Sequence, residues 1–296
     1  MPILEPNSIF RNNEVSLPNM VLRLSVVMPA KNAGLTIRVA VRSALLAMPR
    51  DSELLVLLDD CTDDTFEKLS TIRDRRLRVL NPGGKFGLTA ARNLLHSEAK
   101  AAYVGVLDAD DICLPWRFFF QLRKLEKGLD VICGTALVFG KALRSLPLIP
   151  QLPMTITERE FPLFLTTSNP VVHSTVTYRK SLVDSVGGYP GTWPREDYHL
   201  WIKLAKANAR MARGAAAMAL YRFHPNQVSH SSPRAIDPVV INEVEREISG
   251  LVQHLGLADA IQDRQAMLYS MKPLAKMEQR GLRGLNARKR KQAELD

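Results

Sequence analysis

Only three cysteines occur in 296 residues, and Cys61, Cys113 and Cys133 are odd in number and form no Cys-x-x-Cys pair. That excludes a disulfide framework and a cysteine-rich zinc site, and it suits a reducing cytoplasm. Long apolar runs are also missing. The nearest, Gly214 to Tyr221, is bounded by Arg213 and Arg222, whereas a spanning helix needs roughly 20 apolar residues, so no membrane span is expected. The first residues carry Glu5, Pro6 and Glu14 where a secretion signal needs a basic start and an unbroken apolar stretch, so none is expected. His173, His199, His224 and His230 build no HExxH or similar local motif; each alone reads as a satisfied polar residue. The sequence shows no internal repeat.

What is there is the composition of a globular chain, 46% hydrophobic and 24% charged, long enough for one large α/β domain with an appendage. Lys plus Arg number 40 against 30 Asp plus Glu, a formal charge of +10 that suits polyanionic partners such as nucleotide phosphates or an anionic membrane. From Lys272 onward eight basic residues stand against three acidic ones, so +5 of the +10 lies in the tail. The segment 272–291 reads either as a solvated end or as a peripheral contact with anionic lipid. The remaining +5 over 271 residues is too little for a dedicated nucleic-acid binder, and no nucleic-acid partner is expected.

Hydrophobic patterning predicts strand and helix in alternation. Strands are expected at Leu24 to Met28, Glu53 to Leu58, Leu77 to Leu80 and Tyr103 to Leu107. Helices are expected to Met48, to about Ile72, from Thr89 to Lys100 and from Pro115 to Lys127. Leu54-Leu-Val-Leu-Leu58 is apolar on both faces, as a parallel sheet covered by helices requires. Later elements are strands at Val131 to Phe139, Ser174 to Tyr178 and Ala215 to Tyr221, with helices at Glu196 to Ala207 and Pro238 to Leu255. The five prolines between Pro147 and Pro170 mark a loop region with one short helix. The fold class is therefore α/β with a doubly wound, mostly parallel sheet and a helical C-terminal extension.

Ligands of such sheets bind beyond the carboxyl ends of the strands, where this sequence puts Pro29 to Asn32, Asp59 to Asp64 and Asp108 to Asp111. Asp108 and Asp110 offer oxygen ligands for a hard divalent cation that also touches a diphosphate; the plainer reading is a solvated turn. Asp111 suits a cap of the helix near Pro115, and Asp63 and Asp64 suit caps of the helix starting near Thr62 to Thr65. Asp59 and Asp60 can accept hydrogen bonds from a base or ribose. Glu196 and Asp197 open a helix, where they either complement its dipole or, in a cleft, provide a general base. Trp116 and Trp201 read as packing, Trp193 as a residue of an exposed Pro/Gly-rich loop, and the cysteines as small buried apolar residues.

In order along the chain stand Ser25-Val-Val-Met-Pro-Ala-Lys-Asn32, Leu58-Asp-Asp-Cys-Thr-Asp-Asp-Thr65, Gly87-Leu-Thr-Ala-Ala-Arg-Asn93 and Leu107-Asp-Ala-Asp-Asp111 with Pro115. They are followed by Gly187-Gly-Tyr189, Arg195-Glu-Asp-Tyr-His-Leu-Trp201 and Tyr221-Arg-Phe-His-Pro-Asn-Gln-Val-Ser229. Together they resemble the family 2 glycosyltransferases of GT-A fold over residues 23 to 230. The resemblance implies inverting transfer of a sugar from a nucleoside-diphosphate donor, a UDP-sugar by preference, to an acceptor hydroxyl, aided by Mg2+ or Mn2+. It puts Pro29, Ala30, Asn32 and Asp60 at the nucleoside with Asp59 close by, and Arg92 near the diphosphate or sugar. Asp110 would contact the metal, Asp108 the ribose or the metal through water, and His224 the metal or diphosphate. Asp197 would be the base, with Glu196 and Trp193 bordering the acceptor. Ala30-Lys31 and Cys61 depart from the family pattern at the nucleotide pocket.

The same resemblance divides the chain into an N-terminal extension, 1–22, a nucleotide-sugar half, 23–140, an acceptor half of the same domain, 141–230, and a basic extension, 231–296. It implies a carbohydrate or lipid-linked acceptor and a place in the cytoplasm or at the inner face of the membrane. The competing readings are a sugar nucleotidyltransferase and a catalytically silent scaffold that binds sugar nucleotides or membranes.

Overall fold

The computed structural model describes residues 21–140, 149–150, 153–192, 194–223 and 237–257. Two compact units divide the chain at residue 248, and of the second only residues 249–257 are described, the end of a helix and the turn after it. Trp193, His224 and the segment 272–291 lie outside the described residues.

The first unit opens with β1 (Leu24–Ala30), α1 (Ile37–Ala47), β2 (Ser52–Leu58), α2 (Thr65–Ser70), β3 (Leu77–Leu80), α3 (Leu88–Glu98) and β4 (Tyr103–Val106). These four strands pair in parallel in the order β3-β2-β1-β4. All seven residues of β2 are buried, as its run of apolar residues on both faces requires. Each such side chain contributes roughly 1.5–3 kcal/mol by leaving water.

Next come β5 (Ile112–Cys113), α4 (Arg117–Glu126), β6 (Val131–Gly140), β7 (Ile149–Pro150), α5 (Phe161–Leu165), β8 (Thr177–Arg179), α6 (Lys180–Ser185), α7 (Glu196–Lys206), β9 (Met211–Phe223) and α8 (Pro238–His254). The sheet continues past β4 as β8-β6-β9-β5. Here β8 runs antiparallel to both β4 and β6, while β6 and β9 are parallel. The result is a mixed, curled α/β sheet whose first half is parallel.

The strand expected over Ser174 to Tyr178 is shorter than its composition suggests. Residues His173–Thr175 form a 3-10 turn, and the strand begins at Thr177. The cause is Arg117, fully buried, which donates to the carbonyls of Val106, Ser174 and Val176 at 2.6–2.8 Å. The guanidinium holds the Ser174 carbonyl within the 3-10 turn, and the ladder starts only at Val176, whose carbonyl accepts the Val106 backbone N–H at 3.0 Å as well as Arg117. Three short elements, β5, β7 and α6, give too little pattern to be expected from sequence.

Candidate active site

The end of β1 and the end of β2 are tied together by their own loops. Asn32 accepts the Thr62 backbone N–H at 2.8 Å, Thr65 accepts that of Ala33 at 2.8 Å, and Asp63 accepts that of Gly34 at 2.8 Å. Asn32 and Asp60 both have left-handed backbones, φ 48° and 53°, a conformation held only where surrounding bonds enforce it and common at ligand sites. Gly34 brings its backbone close to the second loop, and a Cβ there would stand 2.0 Å from Asp64 Oδ1. Asp63 bonds the Thr65 backbone N–H as expected of a cap, but Asp64 does not cap; it pairs with Lys68 at 2.8 Å. Ala30 turns its side chain into the core, and its carbonyl accepts from Asp59 N–H and from Cys61 Sγ. Cys61 is half-buried rather than buried like Cys113 and Cys133.

Asp59 is buried, and its two oxygens accept the backbone N–H groups of Phe86 and Gly87 at 2.6 and 3.1 Å. It thereby fixes the loop before α3, which carries Arg92. Pro29 and Asp60 stand beside it, Pro29 half-buried and Asp60 exposed.

Beyond β4 the chain turns through Asp108 to Asp111. The Thr36 hydroxyl donates to the Ala109 carbonyl at 2.9 Å, Arg222 Nε to the Asp110 carbonyl at 2.8 Å, and the Ser174 hydroxyl to Asp108 Oδ2 at 3.0 Å. Asp111 does not cap α4: it is fully buried and accepts the Arg222 backbone N–H at 2.8 Å. It pins β9 to the loop because the aspartates of this turn meet β9 before the helix begins. Burial, reinforced by the charges of Asp108 and Asp110, holds its carboxyl well above the ordinary range.

Arg92, buried on α3, joins this turn to α7. It donates Nη1 to Glu196 Oε1 and lies with Nη2 3.7 Å from Asp108 Oδ1. Burial works against its charge, but Asp108 and Glu196 outweigh it and hold the guanidinium more basic than usual. The Tyr189 ring lies under it at 5.9 Å, and the Tyr189 hydroxyl meets His173 Nε2 at 3.0 Å. Tyr189 is clamped through its backbone by both amide atoms of Asn93. Gly188 is required beside that clamp, having φ 75° and 2.7 Å between a built Cβ and Asn93 Oδ1.

At the first turn of α7, Asp197 Oδ1 accepts its neighbour's N–H at 2.7 Å and Oδ2 accepts from Asn169 Nδ2 at 3.0 Å. Asn169 is oriented by the bond its own Oδ1 accepts from Val171 N–H. Burial raises the Asp197 carboxyl above the ordinary range, opposed mainly by the charge of Arg92. Glu196 is raised for the same reason and likewise opposed by Arg92.

The structure thus assembles Arg92, Asp108, Glu196 and Asp197 at one edge, with Asp110 on the adjoining turn. The supporting Ser174, Asn169 and Asn93 carried no signal of their own, since each acts on a residue that folding alone brings near. Among the described residues no group of three or more His, Cys, Asp and Glu side chains converges as a metal cage. Around the turn, Asp108 and Asp110 bring two carboxylates together, near enough for both charges to act on the buried Asp111. Such hard oxygen donors fit a divalent cation whose shell is completed by diphosphate and water.

A profile described as Glycosyl transferase family 2 matches residues 25–187, more than half of the chain. The chain belongs to glycosyl transferase family 2. Among its relatives, an uncharacterized glycosyltransferase of Haemophilus influenzae is 31% identical over 57% of this chain. The Escherichia coli enzyme WfgD, named a UDP-Glc:alpha-D-GlcNAc-diphosphoundecaprenol beta-1,3-glucosyltransferase, is 27% identical over 62%. The chain covers 64% and 70% of these two proteins. S. aureus TarS 1-349 in complex with UDP-GlcNAc superposes with a TM-score of 0.62 at 22% identity, over 78% of this chain and 66% of that one. The GT-A architecture expected from the motifs is the one observed. Among the described residues, no helix is long and apolar enough to cross a membrane.

Proposed function

We propose that this family 2 chain transfers a sugar, with inversion at the anomeric carbon, from a nucleoside-diphosphate sugar to a hydroxyl of a glycan or lipid-linked acceptor. The observation that carries the reading is the meeting of Asp197 with Arg92 and Asp108 at the carboxyl edge of the parallel strands. A UDP-sugar is the favoured donor, because WfgD is named for UDP-Glc and TarS was solved with UDP-GlcNAc. WfgD is also named for a diphosphoundecaprenol-linked acceptor, which supports the lipid-linked class here.

In this mechanism Asp197 accepts the proton of the acceptor hydroxyl while that oxygen attacks the anomeric carbon. The bond from that carbon to the diphosphate oxygen breaks on the opposite face, so the configuration inverts and no protein nucleophile takes part. Asn169 and the Tyr198 N–H hold the base in place, and the Arg92 charge keeps it ionised. Glu196 neutralises Arg92 and locks α7 against α3. Pro29, Asn32 and Asp60 border the nucleoside, and Asp59 keeps the adjoining loop in shape. Asp110 and Asp108 are the residues that would hold Mg2+ or Mn2+, which when bound stabilises the charge of the departing diphosphate.

Calorimetric titration with UDP, GDP and dTDP, each with Mn2+ and with EDTA, tests the donor side. Metal-dependent binding of UDP alone supports the reading, and binding of none of them rejects it.

A further inference from the structure

The outer surface of α4 departs from the pattern of a solvent-facing helix, which places polar residues outward. Its inward residues Phe118, Gln121, Leu122 and Leu125 are buried. Facing out at its start are Trp116, Phe119 and Phe120, exposed by 45%, 59% and 50%. These rings are held rather than loose. The Trp116 indole N–H donates to the Ala217 carbonyl at 2.8 Å, so its one polar atom is satisfied by the protein. Phe119 and Phe120 meet edge to face with centroids 5.4 Å apart, and the Arg123 guanidinium covers Phe119 at 5.3 Å.

The next outward residues are basic: Arg123, Lys124 and Lys127. The lone acidic residue of the helix, Glu126, is engaged by Arg23 at 3.4 Å. An exposed aromatic turn followed by a basic turn with no carboxylate partner among the described residues matches a bilayer boundary, where rings lie at headgroup depth and cations meet anionic phosphates. A protein partner would be expected to cover the aromatics but not to require the uniform positive charge beside them.

We propose that the outward face of α4, with Trp116, Phe119 and Phe120 inserted and Arg123, Lys124 and Lys127 at the phosphates, docks onto an anionic lipid bilayer. The helix starts a few residues after the Asp108 to Asp111 turn, and its first residues are fastened to β9. Docking there sets the catalytic edge beside the membrane. The surface is independent of the reaction proposed above, since it uses none of its residues.

The test is flotation of the full chain with phosphatidylglycerol vesicles and with phosphatidylcholine vesicles. The unaltered chain is expected to float with the anionic vesicles only. Phe119→Ser/Phe120→Ser is expected to weaken that binding at least about tenfold, and Arg123→Glu/Lys124→Glu to abolish it, with thermal melts confirming that both variants fold. Both variants leave 272–291 unaltered, so binding that persists at full strength in the phenylalanine variant places the contact elsewhere and overturns the proposal. A second readout avoids core perturbation: brominated lipid is expected to quench fluorescence of the unaltered chain, and much less that of Trp116→Phe. Equal quenching of the two, or no binding to either vesicle, also overturns it. UDP titration of the same samples reports the donor site separately.

Discussion

Arg92 donates to Glu196 across 104 positions of sequence, and the two residues keep only 6% and 3% of their surfaces exposed. The pair joins α3 to the first turn of α7 and sets Asp197 beside the Asp108 turn. A buried pair broken on one side leaves an uncompensated charge. Glu196→Ala should therefore cost about 3–5 kcal/mol, read as a lower urea midpoint. Glu196→Gln, which keeps an oxygen for the hydrogen bond, should cost less. Equal stability of Glu196→Ala and the parent would mean that the pair contributes nothing net.

Asp197→Asn should lower kcat by about 10²–10⁴-fold, the range of general base catalysis, and leave UDP affinity near that of the parent. Unchanged turnover would remove Asp197 from the mechanism.

The base works ionised, so kcat/KM should rise with pH through the Asp197 pKa and then level. Burial raises that pKa, placing the acid limb above that of an ordinary aspartate. The Asn169 hydrogen bond lowers it, so Asn169→Ala should move the limb to higher pH. A profile that shifts downward or stays fixed in this variant would contradict the assignment.

Asp110→Ala should weaken Mn2+-dependent UDP binding by at least about tenfold, or 1.4 kcal/mol, while binding in EDTA stays as it was. Its carbonyl bond to Arg222 does not depend on the side chain. Equal binding in both proteins with Mn2+ would exclude Asp110 as a ligand.

His96, His173 and His199 are buried, and in each burial is the main cause of a pKa below the usual histidine value. The unfolded chain then binds more protons than the folded one as pH drops below about 6.5. The stability these residues contribute is complete above that value and declines as pH falls towards their folded pKa values. The raised carboxyls of Asp111, Glu196 and Asp197 act in the opposite sense, so the test is a difference: on going from pH 8 to pH 6 in urea unfolding, His173→Asn should lose less stability than the parent. The same change in both proteins would refute this.

The alternation of strand and helix was legible because β2 is apolar on both faces from Leu54 to Leu58 and the longer helices carry an apolar stripe. The loops after β1, β2 and β4 were legible too, because polar clusters at strand ends follow from sheet topology. Local sequence misled where a distant side chain holds a backbone carbonyl, as Arg117 does at Ser174. It misled again at Asp111, which bonds β9 instead of the nearby helix, and at Trp116, which stays exposed instead of packing.

By itself the sequence determined the parallel first half of the sheet, the order of the motifs and the residue types available for chemistry. Periodicity and turn composition act over a few residues, and that range is enough for both. Only the tertiary structure decided that Arg92 lies between Asp108 and Glu196, that Asn169 holds Asp197, and that Ser174 holds Asp108. These contacts join residues 16 to 104 positions apart. Arg92 and Glu196 lie buried away from water, so each must find its partner in the folded chain, and the residues around them are set by that pairing.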